Sequence, residues 1–165
     1  MKFKLVKLSR FSGKKSSIYS IIIDNDKETL FDKFIRSNLS DNQKEIEQIF
    51  VTLDAIGKKV GSQDIYFRKK KEGKAGDGVE AMYDYPSAKL RLYCIRYGSV
   101  TLILGDGGEK FVRTWQEDPQ LSKSAMEMIQ ISKILTQAIR EGDLAWNGND
   151  FTGQFEFNNN DEDDE

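Results

Sequence analysis

Three groups of residues in this chain have types and spacings that could do chemistry. The first is cationic: Lys58, Lys59, Arg68, Lys69, Lys70, Lys71 and Lys74 lie within one stretch, against only Asp64 and Glu72. Such a run in a near-neutral chain is either the footprint of a polyanion or a strand edge kept solvated by lysine. The second is a strand pattern over Lys89 to Tyr97, which puts Arg91, Tyr93, Ile95 and Tyr97 on one face and Leu90, Leu92 and Cys94 on the other. With helices on the Leu90 side, the opposite face would be open. Its guanidinium would meet phosphates and its tyrosine rings would stack on bases, although β-propensity alone also favours tyrosine there. The third group is the carboxylates Glu80 and Asp84, four residues apart on one strand and therefore roughly 13 Å apart. That is too wide for a paired acid and base, so either would act singly, as a base beside a phosphate or as a plain surface charge.

Two absences narrow the chemistry. The chain has no histidine and one cysteine, Cys94. Internal disulfides, zinc sites built on His or paired Cys, and Ser-His-Asp, Cys-His or HExxH catalysis are excluded. Proton transfer must use Asp, Glu, Lys or Tyr, and no metal or other cofactor is expected. Gly105-Asp106-Gly107-Gly108-Glu109-Lys110 lacks the GxxxxGK[ST] spacing of a phosphate loop and predicts a turn leaving the sheet. Lys110, Arg113 and Trp115 follow it directly. Cys94, between Leu92 and Arg96 on the apolar side, reads as a buried, inert thiol.

These residues need a scaffold, and 165 residues with 38% apolar and 32% charged content suit one soluble α+β domain, expected over residues 1–157. The net charge of −2 includes five acidic residues at the end, Asp161 to Glu165, and residues 158–165 read as an acidic disordered tail that solubilises the chain or covers the basic run. Met1 to Leu8 alternates charged and apolar residues and forms no signal core. Ile21-Ile22-Ile23 and Leu102-Ile103-Leu104 are strand-sized and too short to span a bilayer. With a lone thiol, the expected location is cytoplasmic.

Along the chain, residues 2–8 and 18–23 predict an antiparallel hairpin. Asp26 can cap a helix carrying Leu30, Phe31, Phe34 and Ile35. Ser40 and Gln43 have capping-box spacing before a second helix with Ile46, Ile49, Phe50, Leu53 and Ile56, ended by Gly57. Beyond Gly61 the period becomes two. Strands around Ile65 to Arg68, Val79 to Tyr85, Lys89 to Tyr97 and Val100 to Leu104 predict an antiparallel meander, the last of them buried on both faces. A final helix runs from about Pro119 or Leu121 to Glu141, before Gly142, with Met128, Ile131, Leu135 and Ala138 on its apolar side. Phe151 to Phe157 can add an edge strand.

This order of strands, helical hairpin, meander and final helix resembles the RelE/ParE/HigB superfamily of toxins from bacterial type II toxin–antitoxin systems. The pieces carrying the likeness are Phe67-Arg68-Lys69-Lys70-Lys71-Glu72-Gly73, Val79-Glu80-Ala81-Met82-Tyr83-Asp84, Leu90-Arg91-Leu92-Tyr93 and Val100-Thr101-Leu102-Ile103-Leu104. The phrasing of residues 90–110 is similar to the HigB-like, phage-associated branch, and the RelE-like core covers about residues 18–141. The resemblance implies an mRNA endoribonuclease, acting at the ribosome and restrained by a cognate antitoxin, for which a helix-turn-helix protein is the expected type. Its chemistry is attack of a ribose 2′-hydroxyl on the adjacent phosphate, which needs cations, a base and an acid and no metal. It implies that Arg91 binds phosphate, that Lys110 or Arg113 is the basic residue after the last strand, and that Trp115 stands where a ring stacks or handles a proton. Asp84 and Tyr93 are the nearest other proton-transfer candidates, and Arg68, Lys69, Lys70, Lys71 and Trp115 the RNA-binding ones. The chain departs from RelE itself at Met82 and Asp84, where that toxin has two lysines. Two other readings stay open: a non-catalytic RNA- or protein-binding module on the same fold, and gyrase inhibition as in the ParE branch, which needs no nuclease residues.

Overall fold

Lys2–Lys7 (β1) and Ser17–Ile23 (β2) form an antiparallel hairpin with Leu5 opposite Ile21. The computed structural model describes residues 1–68, 78–82, 89–110 and 118–159. The first helix, α1 (Leu30–Asn38), begins later than Asp26 predicts, because Thr29 and Asp32 form a reciprocal capping box, each side chain bonding the other's backbone N–H. Asp26 instead accepts from Lys27 N and pairs with Lys33. Leu30, Phe31 and Phe34 give α1 its buried stripe.

The second helix, α2 (Gln43–Ala55), has Asn42 at its cap position without a side-chain cap bond. The Asn42 amide donates to Glu109 at 2.7 Å instead, so the expected Ser40 box is not what starts this helix. Nor does Gly57 end it. A π-helical turn, Ile56–Val60, carries the chain on to Gly61, where φ is +79°. Gly57 is needed for close approach: a Cβ there would lie 1.7 Å from the Phe11 carbonyl oxygen. A 3-10 turn, Asp64–Tyr66, then leads into the two-residue strand β3 (Phe67–Arg68).

The sheet is completed by β4 (Val79–Met82), β5 (Leu90–Tyr97) and β6 (Thr101–Glu109). Beyond them come α3 (Pro119–Glu141), a separate hairpin of β7 (Leu144–Asn147) and β8 (Asp150–Gly153), and β9 (Glu156–Asn158). Among the described residues, seven strands form one mixed sheet in the order β3-β4-β5-β6-β2-β1-β9. The β3 to β6 portion is the expected antiparallel meander, and β2 joins β6 in parallel, Ile18 opposite Leu102. β9 closes the edge beside β1, with the Phe3 and Phe157 rings stacked at 5.0 Å. Asn158 and Asn159, expected in the tail, are ordered: Asn158 pairs with Lys2, and Asn159 N donates to the Met1 carbonyl.

Both faces of the sheet are covered. On one, Phe31, Phe34, Ile46 and Leu53 of α1 and α2 pack on Leu92, Cys94, Leu102 and Leu104. On the other, Met128, Ile131 and Leu135 of α3 pack on Tyr19, Ile21, Tyr93, Ile95 and Ile103. β6 is therefore buried on both sides, as its apolar run predicts. Each fully buried aliphatic side chain contributes about 1.5–3 kcal/mol, and Met128, Ile131 and Leu135 are all 0% exposed. The expectation of an open Arg91–Tyr97 face is corrected here. Tyr93 is 2% exposed beneath α3, and no ring on that part of β5 is available for a base.

Candidate nucleic-acid site

The register of β5 on β6 sets the positions of the expected cations. Leu90 pairs with Glu109, Arg91 with Gly108, and Lys110 N donates to the Lys89 carbonyl at 2.8 Å. Cross-strand partners share a face, so Lys89, Arg91 and Lys110 emerge together at one end of the central strand pair. Glu45 of α2 fixes this end by accepting from the backbone N–H of Lys89 (2.6 Å) and Leu90 (3.2 Å). Arg91 is half-buried and its Nη1 donates to the Leu90 carbonyl at 3.0 Å. The ladder places Arg68 opposite Ala81, and Ala81 opposite Tyr93. Arg68 thus lies on the Arg91 face, two strands away, or about 10 Å at the usual strand spacing.

The glycine-rich segment belongs to the strand and not to a turn, correcting the sequence reading. Between the pairs Leu92/Gly107 and Cys94/Leu104, β6 advances three residues while β5 advances two. The extra residue makes a bulge. A Cβ on Gly107 would sit 1.8 Å from the Arg91 carbonyl oxygen, so glycine is what lets β6 close on β5 beside the arginine. Past this point Asp118 caps α3, its Oδ1 accepting from Gln120 N and Leu121 N.

The other expected residues divide clearly. Asp84, Lys69, Lys70, Lys71, Arg113 and Trp115 lie outside the described residues. Glu80, considered as a lone base, is held by Arg96, which donates Nε to it at 2.7 Å and Nη2 at 3.0 Å. The same guanidinium bonds Asp64 at 2.6 Å and the Ser62 carbonyl at 3.0 Å, and lies 4.9 Å over the Phe67 ring. The Glu80 bond, more than its other partners, raises the Arg96 pKa. Cys94 is 0% exposed, and burial, then the Glu80 charge, pushes its thiol far above the ordinary range. It is inert, as expected.

Two acids escaped the sequence reading. Asp106, at the β6 bulge, and Glu127, on α3, line a cavity of about 260 Å³ with Lys33, Gln120, Lys123 and Ser124. Burial is the main reason both carboxyls are raised, and for Glu127 the Asp106 charge adds to it. No spacing signal links them, because β6 and α3 meet only through the tertiary fold. Among the described residues, no cluster of three or more His, Cys, Asp or Glu side chains could hold a metal ion, and no helix is long and apolar enough to cross a membrane.

Comparison with models of known protein families, with curated proteins and with solved structures returned no match. What this end of the sheet can do therefore rests on its own chemistry. Lys89, Arg91 and Lys110 gather positive charge at a rim where phosphate oxygens can be bound and charge on phosphorus offset.

Proposed function

We propose that the protein is a toxin-like RNA-binding protein that acts as a metal-independent mRNA endoribonuclease, on a RelE-like fold and under control of a cognate antitoxin. The observation that carries this reading is the pairing of Arg91 with Gly108 beside the Lys110–Lys89 backbone bond. It puts an arginine and two lysines together at the sheet end where the family resemblance expects phosphate to be held. The order of elements also supports it, with an N-terminal strand that joins the last meander strand in parallel. In this reading Arg91 and Lys110 bind the scissile phosphate and offset the charge that develops as the ribose 2′-hydroxyl attacks, with Arg68 farther along the RNA path.

A specific observation favours a second reading, an RNA-binding module without catalysis. Of the nearby proton-transfer candidates that are described, Tyr93 is buried and Glu80 is tied to Arg96. Controlled expression separates the two. The nuclease reading expects growth arrest, fragmentation of ribosome-bound mRNA, and loss of both in Arg91→Ala and Lys110→Ala. Normal growth with intact mRNA overturns it, and RNA binding that persists without cleavage supports the module.

A further inference from the structure

We propose that the β1–β2 loop and the π-helical turn after α2 form a second cationic surface, which holds the phosphate backbone of duplex RNA. It lies at the opposite end of the sheet from Arg91 and Lys110. β2 begins where β6 begins, Ser17 beside Thr101, whereas Lys110 follows the far end of β6. Nine strand residues put the two ends roughly 25 Å apart.

Backbone bonds lock this surface together. Lys15 N and Ser16 N both donate to the Gly57 carbonyl, at 2.9 and 3.1 Å. Lys58 Nζ donates to the Arg10 carbonyl at 3.1 Å, and Asn149 donates to the Lys14 carbonyl at 2.7 Å. The loop therefore holds Arg10, Lys14 and Lys15 beside Lys58 and Lys59, and all five side chains are exposed. Two neighbouring carboxylates are already engaged, Asp54 with Lys58 and Asp150 with Lys7. Among the described residues, Arg10, Lys14, Lys15 and Lys59 have no carboxylate at ion-pair distance. Like charges fixed side by side repel one another, and a polyanion relieves this by displacing counter-ions.

The rings at this end select the kind of polyanion. The Arg10 guanidinium lies 5.0 Å over Phe11 and 4.8 Å over Phe50, a cation–π arrangement that engages both rings. Phe11 is buried, and Trp146 is packed 5.1 Å from Phe151 with its Nε1 bonded to Thr101. Single strands are held by stacking as well as charge; among the described residues here Trp146 is 37% exposed but fixed against Tyr97 and Phe151, so the surface offers more charge than stacking area. That pattern fits a double helix, contacted through its backbone and shape. The choice of RNA rests on the RNA-binding reading; the position and phosphate chemistry of the surface do not.

Fluorescence anisotropy of the full chain, titrated into a labelled RNA hairpin across a range of KCl, tests this. The variant combines Lys14→Ala, Lys15→Ala and Lys59→Ala, whose side chains make no ion pair among the described residues, and its melting temperature serves as the folding control. The expected result is at least about tenfold weaker hairpin binding near 0.1 M salt, with the log–log salt slope shallower by about 0.7–0.9 for each phosphate no longer neutralised. Unchanged affinity and slope, or no hairpin binding by the unaltered protein, overturn the proposal. Tighter binding to a single strand of the same length overturns the duplex assignment, and equal binding to the matching DNA duplex overturns the choice of RNA. Cleavage and growth assays of Arg91→Ala and Lys110→Ala report on the nuclease reading separately. Intact mRNA with a clear effect of the lysine variant removes that reading and leaves this surface standing.

Discussion

Arg91 and Arg96 lie on the same strand and on opposite faces of the sheet. Arg96 sits on the α1/α2 side with Glu80, Asp64, the Ser62 carbonyl and the Phe67 ring around it, and its side chain is only 13% exposed. Arg91 emerges on the α3 side among Lys89 and Lys110, where the register gathers like charge. The difference teaches what to look for in an arginine. One surrounded by acceptors, as Arg96 is, is part of the fold. One placed beside other cations adds to a local positive potential, and the proposed function puts phosphate at such a position. The two ends of β5 can therefore be told apart by substitutions that act on stability at one and on ligand at the other.

The largest effect is expected at the Arg96 end. Arg96→Ala leaves Glu80, whose side chain is 18% exposed, without its bidentate partner, and breaking such a pair costs about 3 kcal/mol or more. Urea unfolding should show a lower midpoint with an unchanged slope, while RNA affinity measured where the variant is folded stays near that of the unaltered protein. Arg96→Lys should recover part of the loss, since one ammonium cannot serve Glu80, Asp64 and Ser62 together. A stable Arg96→Ala protein that has lost RNA binding would invert the comparison.

Next in size is Gly107→Ala. Its added methyl meets the Arg91 carbonyl oxygen at 1.8 Å, so the bulge must shift, at about 1–3 kcal/mol. Because the shift falls on the backbone that carries Arg91, both stability and RNA binding should fall, unlike in Arg96→Ala. Equilibrium unfolding and anisotropy on the same preparation separate the two patterns.

These two sites also mark how far the sequence could be read. The order of elements through α3, the burial of β6 on both sides and the α3 boundaries with Gly142 were legible, because periodicity and caps are local signals. The single edge strand expected over Phe151 to Phe157 is instead split between the β7–β8 hairpin and β9. The apolar stripe of Met128, Ile131 and Leu135 was legible too, but not which sheet face it would cover. That long-range packing turned the expected open face of Tyr93 into core. The Glu80–Arg96 pair was hidden for the same reason, since it depends on the β4–β5 register, in which Glu80 faces Cys94. Glycines 105, 107 and 108 read as a turn, yet they serve as small residues where β6 meets β5 and α3. Of the candidate site, Arg91 and Lys110 were joined in one site only through the family resemblance; the β5–β6 register that brings them to one end was not legible, nor could Asp106 and Glu127 be paired.

Between the two ends of β5, at the bulge, Asp106 and Glu127 give a smaller effect that depends on pH. Both carboxyls are raised in the folded protein, mainly by burial. A group raised on folding contributes stability below its unfolded value, near 4 for a carboxyl. That contribution is lost as pH rises through the higher folded value. Stability should therefore decline from about pH 4 upward through this pair, and Asp106→Asn should flatten the decline and raise the unfolding midpoint at neutral pH. Chemical denaturation across that range checks the sign. A decline equally steep in the Asn variant would show that the pair is not its source.

The smallest effect on stability is expected at the Arg91 end, where the comparison is sharpest. Arg91→Ala and Lys110→Ala remove charge from a cationic rim, and each should cost less stability than the loss of Arg96 with its three acceptors. In RNA binding the order is reversed. Each should weaken affinity for a given RNA and reduce the salt slope by roughly 0.7–0.9, while Arg96→Ala leaves that slope alone. A double-mutant cycle then decides whether Arg91 and Lys110 meet one phosphate or two. Contacts to a shared phosphate couple, so the double variant loses less than the sum of the singles, whereas separate phosphates give additive losses. Additivity would assign the rim to RNA tracking and favour the binding module. Strong coupling would put both cations on one phosphate, the arrangement that a cleavage site requires.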